Sequence, residues 1–159
     1  MRFVLHIVCA CMCACMFSYT ACRAPNTISY TGNNRTHMVR LPDAPRFELR
    51  LADAAVNPYL LPAAIAAAGL DGMATKADPG EMLMCNMYSN DPDAVKARAE
   101  RETLPLYLID ALREFEQDSA LQGMFGEEFS QGYLKLRWKQ WNEYQRSMSA
   151  WEVANTLDC

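Results

Sequence analysis

Four arginines and one glutamate fall between residues 35 and 50 of this 159-residue chain, at Arg35, Arg40, Arg46, Glu48 and Arg50. Guanidinium forks bind the oxygens of phosphates and carboxylates in a bidentate manner and cannot lose their charge. A lone glutamate among them stays ionised, because nearby positive charge favours the carboxylate. Facing phosphates, such a carboxylate suits a hard cation, since Mg²⁺ takes one or two carboxylates together with phosphate oxygens. An exposed strand whose charges pair for solubility accounts for the same pattern, because surface ion pairs are common and weak.

The elements that would position these groups are short. Arg46-Phe-Glu-Leu-Arg-Leu51 alternates strictly between charged and apolar residues, the period of a half-buried strand. Phe47, Leu49 and Leu51 then share one face and Arg46, Glu48 and Arg50 the other. Glu48 would stand between Arg46 and Arg50, each roughly 7 Å away along the strand. The run Arg35 to Arg40 is also strand-like. Pro42-Asp-Ala-Pro45 between the two segments reads as a tight reversal, since both prolines fix φ and Asp favours turns. The reading is a hairpin carrying four Arg and one Glu. Upstream, Thr27 to Thr31 is a short strand closed by Gly32-Asn33-Asn34, which places Arg35 at the start of the next strand. His37 has no Cys or acidic neighbour and reads as structural rather than as a ligand.

Downstream the chain turns helical. Asn57 and Pro58 supply a cap and a first-position proline for a helix running towards Lys76, with an early kink expected at Pro62. Residues 78–101 mix Pro, Gly, Asn, Asp and Ser with charges and read as a long loop, with Met82, Met84 and Met87 as gap fillers. Leu108, Ile109, Leu112 and Phe115 recur at helical spacing behind Pro105. Asp118 is placed to cap a short helix through Met124. After Gly126 a second long helix begins, its Glu127 and Glu128 suiting the positive end of the dipole. Phe129, Tyr133, Leu136 and Gln140 lie on one side of it, and Leu134, Trp138 and Trp141 widen the apolar face. The fold class is α+β: short antiparallel strands covered by about four helices.

Composition narrows the function. With 51 % apolar residues the chain can build one ordinary domain core. A net charge of −4 argues against a nucleic-acid partner. Residues 1–42 nevertheless hold four arginines and no carboxylate, so the anion-binding end is basic within an acidic protein. There is no internal repeat, Walker loop, G-x-G-x-x-G or hydrolase serine motif. Residues 1–22 differ in kind: Arg2, an apolar run from Phe3 to Phe17 broken by His6, then small residues. That is the outline of a secretory signal, and equally of a chance translation upstream of a partial gene. A genuine signal implies a secretory or organellar location, and a spurious one a cytoplasmic location. Five of the seven cysteines fall here, at 9, 11, 13, 15 and 22. Their spacing lacks the gaps of a zinc site, and Cys85 and Cys159 are too few for a disulfide framework.

Taken together, Asn34-Arg35, Arg40-Leu-Pro42, Arg46-Phe-Glu-Leu-Arg50, Asp53 and Asn57-Pro-Tyr-Leu60 resemble the C-terminal part of the glutamine synthetase catalytic domain. Asp71-Gly72, Lys76, Asp78-Pro-Gly80 and Trp151-Glu152 continue the likeness in order. It covers roughly Ala24 to Leu157, so that residues 1–22 form a leader and 23–159 the family segment. Within the family the chain looks most like the bacterial-type branch that includes glutamate–methylamine ligases.

The resemblance implies an ATP-dependent carbon–nitrogen ligase that joins glutamate and ammonia through γ-glutamyl phosphate, with Mg²⁺ or Mn²⁺. By match to the family motif, Arg35 contacts phosphate and glutamate, and Arg40 contacts ATP phosphates. Arg46 lies beside the transferring group, Glu48 is a ligand of one metal ion, and Arg50 clamps the glutamate α-carboxylate. The family's remaining metal ligands lie on earlier strands that have no counterpart here, and Arg23 stands where its mobile loop carries an acidic residue. The isolated chain is therefore expected to be inactive or nearly so, and the homo-oligomeric ring of intact members is doubtful for it. A methylamine-using ligase fragment and a non-catalytic, secreted anion-binding remnant stay open beside the glutamine-forming reading.

Overall fold

The computed structural model describes residues 25–52 and 56–156. The leader expected over residues 1–22 and the motif residue Asp53 lie outside them. Among the described residues the order is three strands followed by six helices. The strands are β1 (Tyr30–Thr31), β2 (Val39–Asp43) and β3 (Arg46–Leu49). The helices are α1 (Leu60–Ala74), α2 (Pro92–Glu100), α3 (Leu108–Gln117), α4 (Ser119–Phe125), α5 (Glu127–Gln145) and α6 (Ala150–Thr156). No helix among the described residues is long and apolar enough to cross a membrane.

The expected hairpin forms: β2 and β3 pair antiparallel around the Ala44-Pro45 turn, with Val39 opposite Leu49, Arg40 opposite Glu48 and Asp43 opposite Arg46. The register slips by one residue between Arg40 and Asp43. Pro42 sits in that irregularity, where the donor it lacks is not required by a regular ladder. Two expectations upstream are corrected. Residues 35–38 are turn and bend rather than strand, so Arg35 sits on a turn ahead of β2. Thr27–Thr31 contributes only the two residues of β1, which pairs with β2 in parallel (Tyr30 with Val39, Thr31 with Arg40), while Thr27 bridges to Thr103.

Val39, Leu49 and Leu51 turn one face of the hairpin onto buried Met38, Leu104 and Ala111, and Leu49 also meets Ala68, Leu61 and Ile65 of α1. Phe47, on the same expected face, extends past this core and is 53 % exposed. α3 joins the two halves of the molecule. Its Ala111 packs against the sheet, while Leu108, Leu112 and Phe115 pack with Ala67, Leu121 and Leu134 in the helical core.

Capping follows the local chemistry. Asn57 Oδ1 accepts from the N–H groups of Tyr59 (2.9 Å) and Leu60 (3.2 Å) at the start of α1. Pro62 falls in the first turn of that helix, where a missing donor costs least. Asp118 Oδ1 accepts from Leu121 N–H at 3.0 Å and caps α4. Part of the expected loop over 78–101 is α2, which begins with Pro92 behind Asp91. Of the three methionines expected to fill gaps, only Met87 is buried; Met82 and Met84 are exposed. On α5 the packed residues are Ser130, Leu134, Tyr133, Trp138 and Trp141, whereas Phe129 and Leu136 stay largely exposed.

Candidate active site

The expected grouping of charges exists, with a different membership. Arg40 Nη1 donates to Glu48 Oε2 at 2.7 Å, and Arg50 Nε lies 3.3 Å from Glu48 Oε1. The carboxylate is thus held between two guanidinium groups, but they are Arg40 and Arg50, not Arg46 and Arg50. Directly opposed residues of an antiparallel pair have Cβ atoms roughly 5 Å apart, closer than neighbours two along one strand. Arg40 is the cross-strand partner of Glu48 and therefore reaches it first. Arg46 faces Asp43 across the turn and pairs with that residue instead, Nη2 to Oδ2 at 3.0 Å, in an exposed contact. Arg35 is exposed on its turn, and its charge still reaches the cluster. The Arg40 hydrogen bond, helped by the charges of Arg40, Arg50 and Arg35, holds the Glu48 carboxyl below the usual carboxylate range against a partial desolvation. Glu48 is an ionised acceptor, as the residue types require.

Arg40 is held on its other edge by Asn33, whose Oδ1 accepts from Arg40 Nε at 3.0 Å and also from Nη2. Arg50 Nη1 is buried and has no hydrogen-bond partner among the described residues. Sequence reading treated Asn33 only as a turn former. Its contact with Arg40 depends on the parallel β1–β2 register, which leaves no local signal.

The turn carrying Arg35 is fastened from behind. Asn34 Oδ1 accepts from the N–H and hydroxyl of Thr36, at 3.0 and 2.9 Å. Asn34 Nδ2 and His37 Nε2 both donate to the Cys85 carbonyl, at 3.0 and 2.9 Å, and Met87 N–H donates to Thr36 Oγ1 at 3.0 Å. Arg98 of α2 anchors that loop by donating to the carbonyls of Met87 (2.6 Å) and Ser89 (2.7 Å). His37 is fully buried, with its Nδ1 3.0 Å from Ser29 Oγ. A carbonyl can only accept, so Nε2 carries the proton, and Nδ1 of the neutral ring faces Ser29 Oγ, whose one hydroxyl proton also has the Thr27 carbonyl within 3.3 Å. The structural role expected of His37 is the one it has.

Burial pushes the His37 pKa down, and the bond to the Cys85 carbonyl offsets this only in part. The unfolded chain therefore takes up this proton first as pH falls. The stabilisation from His37 is complete above its unfolded pKa of about 6.5 and is lost as pH drops towards the lower native value. Thermal unfolding followed between about pH 7 and 5 should show the midpoint of the parent chain falling more steeply than that of His37→Gln. Equal slopes would mean that the buried imidazole does not control this window.

Both oxygens of Glu48 face guanidinium groups, and among the described residues no group of three or more His, Cys, Asp or Glu side chains is placed to hold an ion. These residues fit one donor of a metal centre and do not fit a whole one.

The family model described as "Glutamine synthetase, catalytic domain" matches residues 4–156. The chain belongs to the glutamine synthetase catalytic-domain family. The match takes in part of the stretch 1–22. The glutamine synthetase of Rhizobium meliloti (strain 1021) is 53 % identical over 135 residues, covering 85 % of this chain and 30 % of the relative. The glutamate–methylamine ligase of Methyloversatilis universalis is 40 % identical over 135 residues, with the same coverage of 85 % and 30 %. Among solved structures, one described as "Apo GmaS without ligand" superposes with a TM-score of 0.85 at 44 % identity, covering 99 % of this chain and 36 % of that one. The chain thus spans about 30 % of the length of these curated relatives, and its strands and helices make up an α+β segment of that catalytic domain.

Proposed function

We propose that this segment forms one wall of an ATP-dependent carbon–nitrogen ligase site that makes glutamine from glutamate and ammonia. The observation that carries the reading is the ionised Glu48 held between Arg40 and Arg50 on the hairpin of a glutamine synthetase segment. In the proposed reaction the side-chain carboxylate of glutamate takes the γ-phosphoryl group of ATP, and ADP leaves. The lone pair of ammonia then attacks the acyl carbon, inorganic phosphate departs, and the nitrogen gives up a proton. Stabilising such a transfer is mainly a matter of positioned positive charge.

Exposed Arg35 is assigned to phosphate and glutamate, and Arg46, also exposed, to the transferring group. Arg50, with its buried and unpartnered Nη1, is assigned to the glutamate α-carboxylate. Arg40 is assigned to ATP phosphates through the N–H groups not engaged by Asn33 and Glu48. Glu48 supplies one carboxylate to Mg²⁺ or Mn²⁺, which when bound neutralises phosphate charge. The other ligands belong to parts of the catalytic domain outside this segment, as does any homo-oligomeric ring. The reading therefore concerns the whole domain, and the isolated chain is expected not to turn over. Methylamine as the acceptor is a second reading, favoured by the 40 % identical methylamine ligase. A non-catalytic anion binder is the third, favoured by the pairing of both Glu48 oxygens with arginines.

Calorimetric titration of the purified 159-residue chain separates these classes. ATP is expected to bind more tightly with Mg²⁺ than without it, and Arg50→Ala should remove the response to glutamate while keeping that to nucleotide. ATP binding of equal strength with and without Mg²⁺ would leave the anion-binding remnant as the better account.

A further inference from the structure

We propose that Asn33 is a positioning residue for the Glu48 carboxylate, acting through Arg40. The inference rests on the reading of Glu48 as the metal-facing carboxylate of the site. A guanidinium only donates, so the Asn33 atom facing Arg40 is its carbonyl oxygen. That oxygen takes Nε–H at 3.0 Å and a second bond from Nη2, closing one edge of the fork. The group is planar and rigid, so fixing this edge fixes the direction of Nη1, which donates to Glu48 Oε2 at 2.7 Å. Exposure follows the same division of labour: the Arg40 side chain is 14 % exposed, against 68 % for Arg46, whose fork is held by Asp43 across the turn.

Arg40 therefore works first as a strut. Asn33 stands two residues beyond Thr31, and Thr31 is the parallel partner of Arg40, so the short strand β1 serves to bring this amide beside the arginine. Without the amide, Arg40 would be free to swing towards solvent or a bound phosphate. Glu48 would then keep only the longer contact to Arg50.

The test is NMR of the 159-residue chain, reading solvent exchange at each arginine Nε–H and the titration of the Glu48 carboxyl carbon. In the unsubstituted chain the Arg40 Nε–H should exchange much more slowly than that of Arg46; equal rates overturn the proposal without any variant being made. Asn33→Leu, similar in size but without an acceptor, should speed Arg40 exchange and move the Glu48 midpoint up, as the guanidinium that favours its charged form loosens. Asn33→Asp, which keeps an oxygen for Arg40, should retain slow exchange. A Glu48 midpoint and an Arg40 exchange rate both unmoved by Asn33→Leu overturn the proposal. The functional reading is tested separately, in a ligase whose catalytic domain contains this segment. There Asn33→Leu should lower kcat with little change in the KM for glutamate. A shifted Glu48 titration with unchanged kcat upholds the positioning role and removes the catalytic role of Glu48.

Discussion

Glu48→Gln is expected to lower the metal-dependent turnover of a ligase containing this segment by roughly a hundredfold or more, while changing the KM for glutamate far less. Glutamine preserves the volume and the backbone, so the loss would come from charge and hydrogen-bond polarity. In the native arrangement both carboxylate oxygens accept, one from Arg40 Nη1 and the other from Arg50 Nε. An amide offers one acceptor and one donor, so it must turn an NH₂ group towards one of the two guanidinium groups. That contact becomes donor against donor, and the negative charge that balances the pair is gone. Glutamate itself is assigned to Arg50 and Arg35, which the substitution leaves in place. The split between kcat and KM is therefore the diagnostic, read by steady-state kinetics at saturating and limiting Mg²⁺. Glu48→Asp is the matching control: it keeps the charge but is one methylene shorter, so it cannot reach both arginines at their present distances. Turnover unchanged in Glu48→Gln would remove the metal assignment.

Sequence pattern carried a long way here, and where it failed the reason is non-local. The β2–β3 hairpin was legible because strict alternation from Arg46 to Leu51 and the Pro42–Pro45 stretch are both short-range signals. The α1, α3, α4 and α5 starts were legible through Asn57, Pro105, Asp118 and Gly126. Which arginines would flank Glu48 was not legible, because that depends on cross-strand register, and the register slips between Arg40 and Asp43. α2 was hidden by its own cap: Ser89, Asn90, Asp91 and Pro92 read as loop until Asp91 and Pro92 are taken as the start of a helix. On α5 Tyr133, Leu134, Trp138 and Trp141 pack as expected, whereas Phe129 and Leu136 stay exposed and buried Ser130 was not anticipated. Ser130, Leu134, Trp138 and Trp141 face the core, with Ser130 small enough to donate to the Gln122 carbonyl at 3.2 Å. Phe129 draws the eye more than a serine, yet a small residue is what lets α4 and α5 approach. The asparagine and histidine that fasten the arginines were named in sequence as turn former and structural residue. Their partners, Ser29 ahead of β1, Arg40 on β2 and the Cys85 loop, could not be read from neighbours along the chain.

Phe115→Ala should destabilise the chain by about 3–5 kcal/mol, more than any other single aromatic truncation among the described residues. Phe115 is 4 % exposed and is the only aromatic among the buried residues of the helical cluster formed with Ala67, Leu108, Leu112, Leu121 and Leu134. Its ring meets Tyr133 edge to face, centroids 5.8 Å apart at 86°, so truncation removes a directed contact as well as apolar burial. The cluster draws on α1, α3, α4 and α5 at once, and no single helix can move to fill the space without leaving another partner. A domain of this size holds roughly 5–15 kcal/mol in total, so the variant would lose about a fifth or more of its stability. Phe115→Leu, which keeps most of the volume, should cost less than about 1.5 kcal/mol. Urea unfolding of the three chains gives the comparison directly. The consequence reaches the arginine cluster, because Ala111, one turn before Phe115 on α3, packs with Met38 and Leu104 behind the hairpin. Anion binding by Phe115→Ala should then fall with the folded fraction and recover when the temperature is lowered to restore folding. A cost below about 1 kcal/mol would show that the helices do not depend on this ring, and that the hairpin is supported mainly by the α1 contacts of Leu49.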